Sequence, residues 1–277
     1  MPDLPLLGAA AYLDELASVP GLRAWIEGRD LEIRDFTALG ALQGEAWRDI
    51  AGRVKAEFST HAGRIGLHGP FLGFAIDQPD PDLRAVVQDR ILTALAALEE
   101  IAPNGQGHMV LHSPFTTWSG FNTGTEMDDQ EGMIARSLAL LTPAVRRAEA
   151  IGATIVIENC EDRCPHERVT LVRAFNSPAL KVSLDTGHAH YAHGSTAAPP
   201  VDAYVRAAGD LLAHVHLQDA DGIADRHWAL GRGNIHWHGV FMALRARKTM
   251  PRLILEMAQA EDILVSAHYL MAEGLAR

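Results

Sequence analysis

Short apolar runs recur along the chain, separated by stretches whose apolar residues fall at helical spacing. The runs at 6–10, 31–34, 64–68, 109–112, 153–158, 180–185, 214–217 and 253–256 predict eight strands. The fifth, ATIVIE, is apolar on both faces, as a parallel strand covered on both sides must be. Helical periodicity covers 11–27, 41–58, 82–101, a segment ending at 150, and then 235–248 and 262–272. It is clearest in 82–101, where Leu83, Val86, Val87, Ile91 and Leu95 recur at the spacing of one helix face. The connection over 115–129 is long enough to predict a lid.

Strands alternating with helices over 277 residues predict an α/β protein, a single (β/α)8 TIM barrel covering 1–277. A doubly wound open sheet is the alternative. Against it, no glycine-rich phosphate turn follows the first strand, and Gly231-Arg232-Gly233 reads better as a turn. No linker divides the chain, and the Ala-Ala-Pro-Pro stretch at 197–200 reads as a loop before a helix.

Composition narrows the function. Hydrophobic residues make up 48%, yet no run reaches membrane-spanning length and the first residues lack a basic leader pattern. A soluble cytoplasmic protein with no membrane partner is expected. Cys160 and Cys164 have no second pair, so neither a zinc ribbon nor a disulfide framework fits. A net charge of −11 argues against nucleic acid as a partner. The fourteen histidines are the oddity.

The barrel prediction gives those histidines a place. The C-terminal ends of barrel strands converge on one face, where barrel enzymes put their chemistry. Six predicted strands end in His68, His112, Glu158, Asp185, His216 and Glu256, and His188, Asp225 and His227 lie just beyond. Each alone is more often a satisfied structural group. Together they are acceptors without cations, the pattern a bound divalent ion requires. Imidazole with carboxylate suits Zn2+ or Mn2+. The stretch HVHLQDADGIADRH, residues 214–227, carries several of these, and also reads as a polar strand end with a solvated loop. His214 shares the inward side with His216 one layer deeper and is expected to be structural or to support it; His190 and His193 read as supporting or surface residues rather than ligands.

The motifs IVIEN, SLDTGHAH, HVHLQD, DRHxxxGxGNI and LILE, in this order, resemble those of the xylose isomerase-like TIM barrels. That superfamily includes sugar and sugar-phosphate isomerases and epimerases, inosose dehydratases and the endonuclease IV-like, AP endonuclease family 2 proteins. The resemblance implies a metal quartet of Glu158, Asp185, His216 and Glu256, with His188 and Arg226 contacting substrate. Its endonuclease IV branch implies nine ligands: His68, His112, Glu158, Asp185, His188, His216, Asp225, His227 and Glu256. LEIRDF at the second strand looks more like the sugar-isomerase branch.

Two functions follow. One is a sugar or sugar-phosphate isomerase or epimerase in which Glu158 and Glu256 exchange a proton as base and acid through an enediolate. The other is a multi-zinc phosphodiesterase. Phe115, Trp118, Phe121 and Trp228 read either as the mouth of the site or as packing residues.

Overall fold

The computed structural model describes residues 4–38, 40–102, 105–122 and 129–277. The apolar runs form β1 (Leu7–Ala11), β2 (Leu31–Ile33), β3 (Ile65–His68), β4 (His108–His112), β5 (Thr154–Glu158), β6 (Leu180–Asp185), β7 (Leu212–Leu217) and β8 (Arg252–Leu255). They pair in parallel in chain order and close between β1 and β8, an eight-stranded TIM barrel. Helices occupy the connections and bury the outward residues of the strands, such as Leu31, Ile33 and Leu67.

The helices refine the sequence pattern. The segment 11–27 is two helices, α1 (Leu13–Ser18) and α2 (Leu22–Ile26). Val19 is extended ahead of Pro20, and Gly21 has φ 82°, a left-handed conformation that glycine adopts freely. The next three are α3 (Ala46–Phe58), α4 (Pro81–Ile101) and α5 (Thr117–Phe121). On α4, Val87, Ile91 and Leu95 are buried, but Leu83 and Val86 are 54% and 47% exposed. The expected lid at 115–129 contains α5, capped by Thr116; residues 123–128 of that segment lie outside the described residues.

After α6 (Gln130–Ile151) come two helices outside the segments expected from sequence, α7 (Pro165–Phe175) and α8 (Thr186–Thr196), and then α9 (Val201–Ala208), the helix expected after the 197–200 loop. The chain ends with α10 (Trp237–Arg245) and α11 (Glu261–Ala272). Helix α8 starts directly at the end of β6, because the Asp185 side chain caps it by accepting from the His188 backbone N–H at 2.7 Å. This turn puts His188 over the barrel mouth.

The barrel interior is polar. Glu32 on β2 touches His108 on β4 and His216 on β7, strands that are not neighbours, so these contacts cross the interior. Room for His108 comes from Gly66, where a Cβ would lie 2.1 Å from the imidazole. A register shift between Val182 and Ser183 sets Ser183 opposite His214, and the two bond at 2.8 Å. Among the described residues no helix is long and apolar enough to cross a membrane.

Candidate metal centre

Glu158 and Asp185 end their strands, His216 sits near the end of β7 opposite Asp185, and Glu256 follows β8. The barrel brings all four together. His216 Nδ1 lies 2.5 Å from Glu158 Oε2 and 3.2 Å from Glu256 Oε2. The shorter contact lacks hydrogen-bond alignment. Glu158 Oε2, Asp185 Oδ2 and His216 Nδ1 are therefore buried without a hydrogen-bond partner. Buried polar atoms left this way are costly unless something else binds them. Glu158 Oε2 and His216 Nδ1 meet at 2.5 Å, with Asp185 close enough to feel the charges of Glu158 and Glu256, a carboxylate and imidazole set able to hold a divalent cation.

Burial pushes the Asp185 carboxyl up to about 6; the negative Glu158 and Glu256 add to the rise while His188 opposes it. Burial would raise Glu158 as well, but His216 beside it holds its carboxyl well below the usual carboxylate range. Burial opposes charge on His216, yet Glu158, Glu256 and Glu32 together raise its pKa well above the usual value. Burial likewise opposes charge on His188 and His227, yet Asp185 and Asp225 beside them raise both above the usual imidazole value, so protonated imidazoles balance the carboxylates.

Around this centre runs a belt of histidines, of which His68, His188 and His227 each have one nitrogen committed. The Nδ1 of His68 faces the Gly69 carbonyl at 2.9 Å, that of His188 the Asn159 carbonyl at 2.8 Å, and that of His227 the Glu256 carbonyl at 3.2 Å. Carbonyls only accept, so Nδ1 carries the proton and Nε2 is left for a second proton or an ion. The Nε2 atoms of His188 and His227 lie 3.3 and 3.1 Å from the two oxygens of Asp225. His112 Nε2 is 3.8 Å from Glu158 Oε1; burial, with His68 adding, pushes its pKa down to about 3. Groups with metal-ligand proximity among the described residues include His68 with His112 and Glu158, His188 with Asp225 and His227, Glu158 with Cys160 and His188, Glu158 with His214 and His216, and Glu32 with His108 and His214.

Gln218 ties the belt to the centre. Its Nε2 donates to Asp185 Oδ1 and Asp225 Oδ1, at 3.2 and 3.0 Å, and its Oε1 accepts from the His227 backbone N–H at 2.9 Å. Gly187 makes this possible, since a Cβ there would lie 2.1 Å from the Gln218 amide carbon.

Arg226 does not pair with Asp225. Asp221 holds it at 2.9 and 3.2 Å, and its guanidinium lies 5.1 Å from the centre of the Trp228 ring. The strand ends are not free of cations as expected: Arg34, one residue past β2, lies 3.8 Å from Glu256 Oε1 and stacks on Tyr12. His190 bonds Asn234 and His193 bonds the Ala198 carbonyl, so both turn away from the centre. Phe115 is buried packing, whereas Trp118 and Phe121 are exposed. Phe71 packs against His68 and His112. A cleft of about 460 Å³ opens at the mouth, between His112, Cys160, His188, Tyr191 and Asp225.

Beneath the centre, His108 Nε2 lies 2.6 Å, His214 Nε2 3.1 Å and His216 Nε2 2.9 Å from the Glu32 carboxylate. Burial would raise the Glu32 pKa, but His216 and then the other imidazoles hold it well below the usual range. The apolar spacing does not single out Glu32 or His108. The one available signal is a carboxylate between Leu31 and Ile33, in the middle of a strand.

The family model for the xylose isomerase-like TIM barrel matches residues 31–275. Among solved structures, a D-tagatose 3-epimerase-like protein superposes with a TM-score of 0.75 at 20% identity, covering 98% of this chain and 98% of that one. A 3-keto-D-glucoside 4-epimerase from E. coli gives 0.71 at 17% identity over 97% and 99%. A protein from Thermus thermophilus, soaked with ZnCl2, gives 0.66 at 24% identity over 98% and 99%. No curated protein sequence matches the chain.

Proposed function

The chain belongs to the xylose isomerase-like TIM barrel family, and from that membership and its site we propose a divalent-metal-dependent isomerase or epimerase of a small-molecule sugar or sugar phosphate. The observation that carries this reading is the meeting of Glu158 and Glu256 at one nitrogen of His216. Glu158, Asp185, His216 and Glu256 would hold the ion, Zn2+ or Mn2+, which supplies acidification of a carbon-bound proton beside a chelated carbonyl.

The chain's own groups do the rest. Glu158, kept ionised, takes the proton from carbon to leave an enediolate, and Glu256, after taking up a proton from solvent, delivers it to the carbon. His188, fixed by the Asn159 carbonyl, presents Nε2 to the substrate oxygens. Arg34 beside Glu256, and Arg226 at the rim, supply positive charge for a developing oxyanion or a phosphate. The epimerase names of two structural neighbours support the reaction class. A cytoplasmic location fits two cysteines that are both free.

The test incubates the protein, loaded in turn with Mn2+ and Zn2+, with a panel of ketoses, aldoses and their phosphates in D2O. Mass spectrometry should find solvent deuterium at carbon in at least one sugar. Absence of exchange with every sugar and both metals rejects the reading.

One observation favours a second reading, a multi-zinc phosphodiesterase. His188, Asp225 and His227 converge as a ligand group separate from the quartet. Two or three bound zinc ions with hydrolysis of a simple phosphodiester, and no exchange at carbon, would select it.

A further inference from the structure

The strongest unassigned feature is the chain of hydrogen bonds below the quartet. It starts at Arg252, whose Nη1 lies 2.6 Å from His108 Nδ1. A guanidinium only donates, so His108 accepts at Nδ1 and carries its proton on Nε2. That proton is donated to Glu32 Oε2 at 2.6 Å. His214 Nε2 faces the same Glu32 Oε2 at 3.1 Å, and its Nδ1 lies 2.8 Å from Ser183 Oγ. Glu32 is fully buried and ends up with its other oxygen, Oε1, 2.9 Å from His216 Nε2.

From this we infer that Glu32 is a positioning residue for the ion site: it holds the His216 proton on Nε2 and so presents Nδ1 to the ion. The inference rests on reading His216 as a metal ligand. Its physical content is directional. His68, His188 and His227 are fixed through Nδ1 by backbone carbonyls, but His216 is fixed through Nε2 by a carboxylate. A carboxylate accepting from a ligating imidazole makes it a better donor to metal and locks the ring, and losing such a partner typically costs about 10–100-fold in metal affinity. The supporting interactions reach down to Arg252 at the start of β8, whose other nitrogen bonds the Gln106 carbonyl. The orientation of a ligand at the mouth is thus set partly from the far end of the barrel.

The direct test is long-range proton–nitrogen NMR on the whole zinc-loaded protein labelled with 15N-histidine. His216 should show Nε2 protonated and Nδ1 shifted by zinc. Zinc shifting Nε2 instead overturns the inference while leaving His216 a ligand. No zinc effect on either nitrogen overturns the quartet reading itself. The second test is Glu32→Gln, which leaves at least one of the imidazole N–H groups facing it without an acceptor. Zinc affinity should fall about 10–100-fold. Ser183→Ala disturbs the same buried cluster through His214 without touching His216, and should bind zinc as the parent does. Equal affinity in Glu32→Gln and the parent, or equal losses in both variants, makes Glu32 merely structural. If Glu32→Gln does not fold, the NMR assignment decides alone.

Discussion

Glu32 Oε1 lies 2.9 Å from His216 Nε2, although 184 residues separate them in the chain. They sit on β2 and β7, which share no hydrogen bonds along the barrel wall. This contact links the buried interior to the proposed ion site at the barrel mouth.

Glu158→Gln keeps the shape of the side chain and removes its basicity. Exchange of the sugar carbon proton should fall by about 10²–10⁴-fold, the usual worth of a general base. Circular dichroism and the unfolding midpoint should stay close to the parent's. Exchange at the parental rate would remove Glu158 from the proton transfer.

Asp225→Asn combined with His227→Ala separates the two functional readings. His188, Asp225 and His227 form their own ligand group. If they hold a further ion, mass spectrometry of the double variant should show one ion fewer, with the quartet ion retained. An unchanged metal content would reject the multimetal arrangement and leave a single-ion sugar enzyme.

Gly66→Ala tests how tightly the interior is filled. The added methyl would lie 2.1 Å from His108 Cε1, on a ring held by both Glu32 and Arg252. It cannot swing away without breaking those bonds. The variant should lose about 3 kcal/mol in urea unfolding. A loss under about 0.5 kcal/mol, the scale of a neutral surface change, would show that His108 moves freely.

Glu167 on α7 predicts a pH effect remote from the mouth. Burial, with the nearby Asp162 charge adding, pushes its carboxyl from 4.5 up to about 7. A group that holds its proton more tightly when folded favours the folded state below its unfolded pKa. That contribution is lost as pH rises through the folded value. Glu167→Gln should therefore match the parent near pH 4.5 and exceed it at pH 8. The gain should be about 1 kcal/mol, since the side chain is still partly open to solvent. A stability difference independent of pH would show that the carboxyl is not perturbed.

Local pattern was enough for much of this protein. Apolar runs separated by helical spacing placed eight strands to within a residue or two, because side-chain alternation along a strand is a property of neighbouring residues. The same alternation put His68, His112, Glu158, Asp185 and His216 at strand ends, and closure of the sheet brought those ends together. The break at Pro20-Gly21 was also written locally, but helical spacing alone ran across it.

Partners required the tertiary structure. Alternation says that Glu32 faces inward or outward, but only barrel closure sets it against His216 rather than solvent. Arg34 reads as a polar strand end until the curvature of the sheet brings it to 3.8 Å from Glu256. Which nitrogen each histidine offers was equally undetermined, because it depends on the carbonyl or carboxylate across from the ring. Residue type and spacing determine which atoms are able to bind an ion. The folded arrangement decides which of them point to the same place, because convergence is a relation between distant segments that no local period encodes.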